Sequence, residues 1–372
     1  EKELIKNENG FETTDGTKVE WLKEESFFFK LSNWQDNLLK FYEKNPNFII
    51  PKSRRNEVLS FVKGGLKDLS VSRTSFNWGI KVPHSENHII YVWIDALTNY
   101  LTAINFPESL ENKEYWDNSY HIIGKDILKF HAIYWPAILM AAGINPPKQI
   151  LAHGWWTNEG KKISKSLNNT IDPIKLINEF GLDQLRYFLI REVPLGLDGD
   201  FSRSAFVKRI NSDLSNNLGN LIQRSLKLFD KYFDNVIPEK INKKNKNNIL
   251  ENIYELNWVI EKHFINFEYN KALEKIWNQI NLLNQFIDRE KPWESVKKDL
   301  KKTSQTLIIL IEAFRLLGIL LQPFMPNSAS KILDILNIPK DMRMLEHLKE
   351  KFSLNKGFKI KKTEKLFPRY EK

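Results

Sequence analysis

Apolar positions change their period twice along the chain. From Trp34 to Lys44 they fall at helical spacing (Trp34, Leu38, Phe41, Tyr42) and stop before Pro46. Ser53 is placed to cap a second helix through Val58, Phe61 and Val62, ending at Gly64 and Gly65. Residues 1–31 read as short strands and turns, with Thr14-Asp15-Gly16-Thr17 as a hairpin signal. From 69 to about 200 short apolar runs alternate with helical ones. The strand-like runs are Leu69–Ser72, His88–Trp93, Tyr120–Ile123 and Gln149–Ala152, with a buried strand extending from Gln149 as far as Trp156. The helical runs are Asp95–Asn105, Ile127–Ala142 and Pro173–Phe180. That alternation predicts a parallel sheet with crossover helices. After about residue 203 four long amphipathic patterns follow: Phe206–Tyr232, Ile249–Phe267, Lys271–Arg289 and Thr303–Gln322. They predict an antiparallel helix bundle, with residues 238–248 as an exposed connection.

Composition narrows this picture. The 372 residues suffice for two or three domains, and 42% hydrophobic content excludes a disordered chain. The absence of Cys excludes disulfides, thiolate zinc sites and Cys nucleophiles, and fits a cytoplasmic protein. No apolar run is expected to approach a transmembrane span, and no signal peptide is expected from the charged start. The first residue is Glu, which fits a processed or truncated chain. The net charge of +10 favours an anionic partner, tRNA being a natural candidate. A lysine-rich solvated face would give the same charge.

The chemistry-bearing residues cluster where a parallel sheet places its ligands, at the carboxyl ends of strands. Lys161-Lys162-Ile163-Ser164-Lys165-Ser166 follows the turn Asn158-Glu159-Gly160, and a helix opens after it at Asp172-Pro173. Three ammonium groups and two hydroxyls on one loop can grip a polyphosphate and neutralise charge developing on it. Alone, such a loop is equally a solvated surface loop. Trp93 and Tyr100, near the end of another strand, can bracket an apolar ligand or simply pack in the core. Gly124 lets a ligand approach a strand end, and Asp126 can accept from ribose hydroxyls or act as an ordinary helix-start carboxylate. Ile127, His131 and Trp135 fall on one helix face. Arg73 can reach a nucleotide or serve a structural ion pair. In the helical part Asn216, Asn220 and Arg224 recur every four residues opposite Leu214, Leu218 and Leu221. Amides and a guanidinium on one face suit unstacked RNA bases. Trp293 after Pro292 can be a stacking platform or a capping core residue.

These segments, in this order, resemble the methionyl-tRNA synthetases, a family of class I aminoacyl-tRNA synthetases. The basic loop is similar to their KMSKS signature, with Ile163 in the Met position. Glu24 to Phe29, Ser53 to Arg73, Tyr91 to Tyr100, Ile123 to Pro136, His153 to Ser166, Arg191 to Phe201 and Asn216 to Arg224 carry the resemblance. It implies a partial parallel nucleotide-binding sheet of Rossmann type followed by a helical anticodon-binding bundle, an α/β plus all-α chain. The expected parts are 1–68, the end of a connective insertion and its return to the fold; 69–202, the second half of the catalytic domain; and 203–372, the anticodon-binding domain.

The resemblance also implies a methionine–tRNA ligase. Methionine is activated by ATP and transferred to tRNA(Met). Trp93, Ala96, Leu97, Tyr100, Ile127, His131 and Trp135 would form the methionine pocket. Gly124, Asp126, Lys162, Ser164, Lys165 and Ser166 would bind ATP, with Arg73, Lys162 and Lys165 catalytic. Asn216, Asn220, Arg224 and Trp293 would read the CAU anticodon. Mg2+ would accompany ATP; no structural zinc, no membrane and a monomer are expected. One departure matters. The family's His-x-Gly-His signature occurs nowhere among the seven histidines. The chain is therefore expected to lack the first half of the nucleotide fold, leaving a central strand edge unpaired, and to be inactive alone. The alternative is a tRNA-binding helical module without catalytic activity.

Overall fold

The structure, a computed structural model, describes residues 4–7, 10–13, 18–19, 24–164, 169–241, 248–362 and 365–371. Packing divides the chain into two compact units, Glu1–His153 and Gly154–Lys372.

The first unit holds a three-stranded parallel sheet in the order Ile49–Ile50, Gln149–His153, Tyr120–Gly124. Ile150, Leu151 and Ala152 are fully buried in its central strand, as a continuous apolar run predicts. The Gln35–Lys44 helix buries Leu38 and Tyr42 against this sheet, and the Lys52–Lys63 helix buries Val58 and Val62. Ser53 is not the cap of that second helix. Helical backbone starts at Lys52, and the carbonyl of the extended Pro51 accepts from the Arg54 amide at 3.0 Å.

Two predicted strands do not enter the parallel sheet. Leu69–Ser70 pairs antiparallel with Phe28–Phe29, and Ser72–Arg73 pairs antiparallel with Ile89–Ile90. The run expected to continue to Trp93 ends at Ile90, because helix begins at Val92 and turns Leu97 and Leu101 into a second core. Ile49–Ile50, too short to register as a pattern, takes the sheet position instead. At the N-terminus Gly10–Thr13 pairs antiparallel with Lys18–Val19. The turn predicted at Thr14 to Thr17 lies outside the described residues.

The second unit opens with a small sheet. Trp156–Asn158 pairs parallel with Gly199–Phe201 and antiparallel with Lys161–Lys162. The strand expected from Gln149 to Trp156 is thus two strands. At Gly154 the backbone lies so close to Leu197 that a Cβ would sit 2.1 Å from the Leu197 carbonyl oxygen. Pro173–Phe180 forms as expected, and Asp172 caps it by accepting from the Ile174 amide at 2.9 Å. Gly181, at φ 101°, separates it from a helix the sequence reading missed, Leu182–Glu192.

All four long helices of the bundle form. The first runs from Arg203 to Phe233 with a π-helical stretch at Ile210–Gly219. Asn248–Ile265, Tyr269–Glu290 and Leu300–Leu321 follow, and Pro326–Ile335 adds a shorter helix that was not predicted. Leu300–Leu321 corrects the expectation that no apolar run approaches a span. Its 22 residues are long and apolar enough to cross a membrane, yet its apolar window is entirely buried within the bundle. A helix surrounded by other helices is apolar on every face for that reason. Its one buried ion pair is Glu312 with Arg315.

Candidate functional site

Tyr100 and Trp93, from the Val92–Thr102 helix, both reach His131 in the first unit. The Tyr100 hydroxyl lies 3.0 Å from His131 Nε2, and the Trp93 ring meets the imidazole edge-to-face at 6.3 Å. His131 Nδ1 donates to the Ile127 carbonyl at 3.1 Å. A carbonyl only accepts, so Nδ1 carries a proton, and in the neutral ring Nε2 then accepts from the Tyr100 hydroxyl. His131 sits in a π-helical turn, Phe130–Tyr134, which also stacks Phe130 on Trp93 at 3.9 Å. Such turns often mark functional sites.

Ring contacts continue through His121, which the sequence reading passed over. Its ring is 4.2 Å from Tyr100 and 5.8 Å from Trp116, and Trp116 meets Trp135 at 6.4 Å. Trp93, Tyr100, His131 and Trp135 are therefore linked by one chain of rings, with Leu97 buried in the same cluster as Trp135. Ala96 is exposed on the helix. Ile127 goes elsewhere: its side chain packs with the sheet-side core. The 3-10 turn Lys125–Ile127 and the π-helical turn replace the regular helix that would have put Ile127, His131 and Trp135 on one face. The missed signal for His121 was its inward place in the alternating strand Tyr120–Gly124.

Burial disfavours the charged form of both imidazoles. It pushes His121 down to about 4, with the nearby His131 adding to the effect. Burial also lowers His131, partly offset by its bond to Ile127. In the unfolded chain a histidine titrates near ~6.5. Between that pH and about 4 the unfolded chain binds more protons than the folded one, so stability falls as pH drops through this window. Urea midpoints should decline across it, and decline less for His121→Asn. Equal decline in both proteins would show that His121 is not held neutral.

Gly124 ends the Tyr120–Gly124 strand, and a Cβ there would stand 2.5 Å from Asp126 Oδ1. Glycine thus lets the Asp126 carboxylate fold back over the strand end. Arg73 is engaged: its guanidinium donates to Ser70 Oγ at 2.6 Å, pairs with Glu24 at 3.4 Å and lies 4.3 Å from the Tyr91 ring centre. The Thr74 amide, ahead of Arg73, holds Glu24 below the usual carboxylate range.

In the second unit the basic loop is stapled at its base by Asn169, which no sequence pattern singled out. Asn169 Oδ1 accepts from the Ser164 amide at 2.9 Å, its Nδ2 donates to the Lys162 carbonyl at 2.9 Å, and its carbonyl accepts from Asn158 Nδ2 at 2.8 Å. Asp200 fixes the preceding turn, accepting from the Gly160 amide at 2.8 Å and from Thr157 Oγ1. Lys162 is exposed, its ammonium 6.0 Å from the Trp155 ring centre. Lys165 and Ser166 lie outside the described residues.

In the bundle Leu214, Leu218 and Leu221 are buried, while Asn216 and Asn220 are exposed. Those two asparagines line a cavity of about 310 Å3 with Gln223, Lys365 and Arg369. Arg224 turns away to the Tyr269–Glu290 helix, donating to Asp288 at 2.7 Å and Asn284 at 3.0 Å. Asn217 and Asn281 extend this polar seam at 2.8 Å. The expected single face is thus divided between a cavity and an interhelical seam. Trp293 is 38% exposed in the short Pro292–Ser295 helix, just beyond the helix end that holds Asp288.

Comparison with known proteins places this geometry. Residues 3–226 match the family model for tRNA synthetases class I (M), and residues 237–372 match that for the anticodon binding domain of methionyl tRNA ligase. The fold and these matches define a class I aminoacyl-tRNA synthetase. The methionine–tRNA ligase of Rickettsia felis is 53% identical over 366 residues, covering 96% of this chain and 70% of that protein. That of Brucella suis is 46% identical, over 95% of this chain and 69% of its own. The methionyl-tRNA synthetase of Mycobacterium tuberculosis, solved in complex with methionyl-adenylate, superposes with a TM-score of 0.91 at 43% identity, covering 99% of this chain and 74% of that one. The chain belongs to the methionine–tRNA ligase family.

Proposed function

We propose that the first unit selects methionine and that the helical part of the second, from residue 203, reads tRNA. The observation that carries the first part is the convergence of Trp93 and Tyr100 on the buried His131. A flexible thioether suits a slot walled by rings with no net charge. Trp93, Leu97, Tyr100, His131 and Trp135 form its walls, with Ala96 and Ile127 at its margins. Gly124 and Asp126 hold adenosine and its ribose. Lys162, Ser164, Lys165 and Ser166 hold phosphates, and Arg73 leaves Glu24 to meet the reacting group. The methionine carboxylate attacks the α-phosphorus of ATP and pyrophosphate leaves. A hydroxyl of the terminal tRNA adenosine then attacks the acyl carbon and AMP leaves. Positioning and electrostatics supply the catalysis. Mg2+ would enter on the phosphates of ATP. The functional parts are 1–68, 69–202 and 203–372.

His131→Ala tests the slot. Discrimination of methionine from an isosteric analogue should weaken by roughly 1–3 kcal/mol. Equal losses for both amino acids would reduce His131 to packing.

We also propose that these residues alone bind tRNA without activating methionine. No His-x-Gly-His occurs in them, and the sheet's edge strand leaves Ile122 71% exposed. Pyrophosphate exchange by the 372-residue chain should be absent while tRNA binding persists. Exchange at an ordinary synthetase rate would refute this.

For the anticodon we assign Asn216 and Asn220 to base edges, Trp293 to stacking, and Arg224 to the phosphate or base next to the seam. A base on Trp293 is worth about 1–3 kcal/mol. Trp293→Ala should lower the preference for CAU over altered anticodons and leave the melting temperature unchanged. A lower melting temperature with constant preference would make Trp293 a structural residue.

A further inference from the structure

Beside the Asn216–Asn220 cavity lies a second one of about 450 Å3, lined by four lysines, Lys331, Lys361, Lys362 and Lys365. Lys365 and Leu366 line both cavities, so the two adjoin. The lysines come from separate parts of the chain. Lys331 stands on the Pro326–Ile335 helix. Lys361 is set at the carboxyl end of that helix, where its amide donates to the Ile335 carbonyl at 2.7 Å. The preceding Ile360 amide is tied to the Asn235 carbonyl at 2.9 Å. Lys331 and Lys361 are therefore held on fixed backbone.

The carboxylate among the described lining residues, Asp334, is shared between Arg343 and, more weakly, Lys361, and leaves the other lysines without an opposite charge of their own. Asp334 is paired with Arg343 at 2.6 Å, and that hydrogen bond holds it below the usual carboxylate range. Among the described residues no salt bridge ties any of the four lysines. A helix carboxyl end accounts for one nearby cation, Lys361, but not for the other three. Like charges gathered in one concavity raise the local potential and favour a polyanion.

We propose that this cavity seats backbone phosphates of the tRNA whose anticodon lies in the adjoining cavity. The proposal rests on the anticodon reading above and deepens it. Contacts to phosphate fix the position of a nucleic acid and carry no sequence information, whereas contacts to base edges specify it. The two cavities divide those tasks: one carries the amides of Asn216, Asn220 and Gln223 beside Lys365 and Arg369, and the other is lined by ammonium groups with no amide side chain.

The test is a Lys331→Gln/Lys361→Gln/Lys362→Gln variant, which spares Lys365 and every residue of the Asn216 cavity. Binding of the whole chain to a tRNA transcript with a CAU anticodon is measured by anisotropy over a range of salt. The same transcript with an altered anticodon is measured beside it. Affinity should fall at least about tenfold at low salt, by the same factor for both RNAs. Each lost phosphate contact should reduce the salt slope by about 0.7–0.9, and circular dichroism should be unchanged. An unchanged slope, or a loss confined to the CAU transcript, would overturn the phosphate role while leaving the anticodon reading intact. No RNA binding by the unsubstituted chain would overturn both.

Discussion

Replacing Glu312 by Ala will destabilise the helical unit by about 3–5 kcal/mol, the cost of leaving one member of a buried ion pair alone. Glu312 and Arg315 are 0% and 2% exposed in the middle of the Leu300–Leu321 helix. Arg315 donates to both carboxylate oxygens of Glu312 and, at 2.6 Å, to the His347 carbonyl. The same carboxylate accepts from the Tyr254 hydroxyl at 3.0 Å and from the Leu354 amide at 3.2 Å. Removing it strands a guanidinium, a hydroxyl and an amide in the core at once. Glu312 thereby joins three segments: the central helix, the Asn248–Ile265 helix and the chain after Phe352. The pair need not itself contribute net stability, because two charges lose their hydration on burial. The double variant Glu312→Met/Arg315→Met should therefore recover the part of the loss that comes from the stranded guanidinium, but not the part from the Tyr254 hydroxyl and Leu354 amide. Guanidinium denaturation of the three proteins decides it. A Glu312→Ala midpoint equal to that of the parent would show that water compensates the lost carboxylate.

Lys165→Ala, in a preparation active for adenylate formation, should raise the activation barrier by about 2–4 kcal/mol, by analogy with the loss of one oxyanion-stabilising donor. That corresponds to about 30- to 1,000-fold in rate. The neighbouring chain supplies the reason. Asn169 ties Lys162 to Ser164 and Asn158, so the base of the loop is set by hydrogen bonds that do not involve Lys165. The substitution should leave the fold intact and act on charge alone. An ammonium that meets phosphate mainly in the transition state changes the rate and not the ground-state affinity. Single-turnover adenylate formation should slow while the dissociation constant for methionine holds. An unchanged rate with weakened methionine binding would remove Lys165 from the phosphate site. Asn169→Ala should slow the same step less, since it loosens the base without removing a charge.

The sequence by itself determined the long elements and the order of chemical motifs. The periodicity of Phe206–Tyr232, Ile249–Phe267, Lys271–Arg289 and Thr303–Gln322 located the bundle helices to within a few residues. A helix of several turns repeats its apolar stripe often enough to be read without its neighbours. Pro173–Phe180 was equally legible, because its cap and first-turn proline are local signals. Tertiary structure decided what has no local period. Ile49–Ile50 joins the parallel sheet, while Leu69–Ser70 and Ser72–Arg73 leave it for antiparallel partners. Such two-residue strands take their partners from long-range packing. The site divides in the same way. Trp93, Tyr100 and His131 were candidates from spacing, but His121, Asn169 and the Asn217–Asn281 seam owe their places to partners distant in the chain. Ile127 and Arg224 were expected on shared faces and turn elsewhere, toward the sheet-side core and Asp288. Helical spacing assumes a uniform turn, whereas the 3-10 turn at Lys125–Ile127 and the π-helical stretch at Ile210–Gly219 change the angle per residue. Packing and interhelical hydrogen bonds, rather than spacing, then decide which way a side chain points.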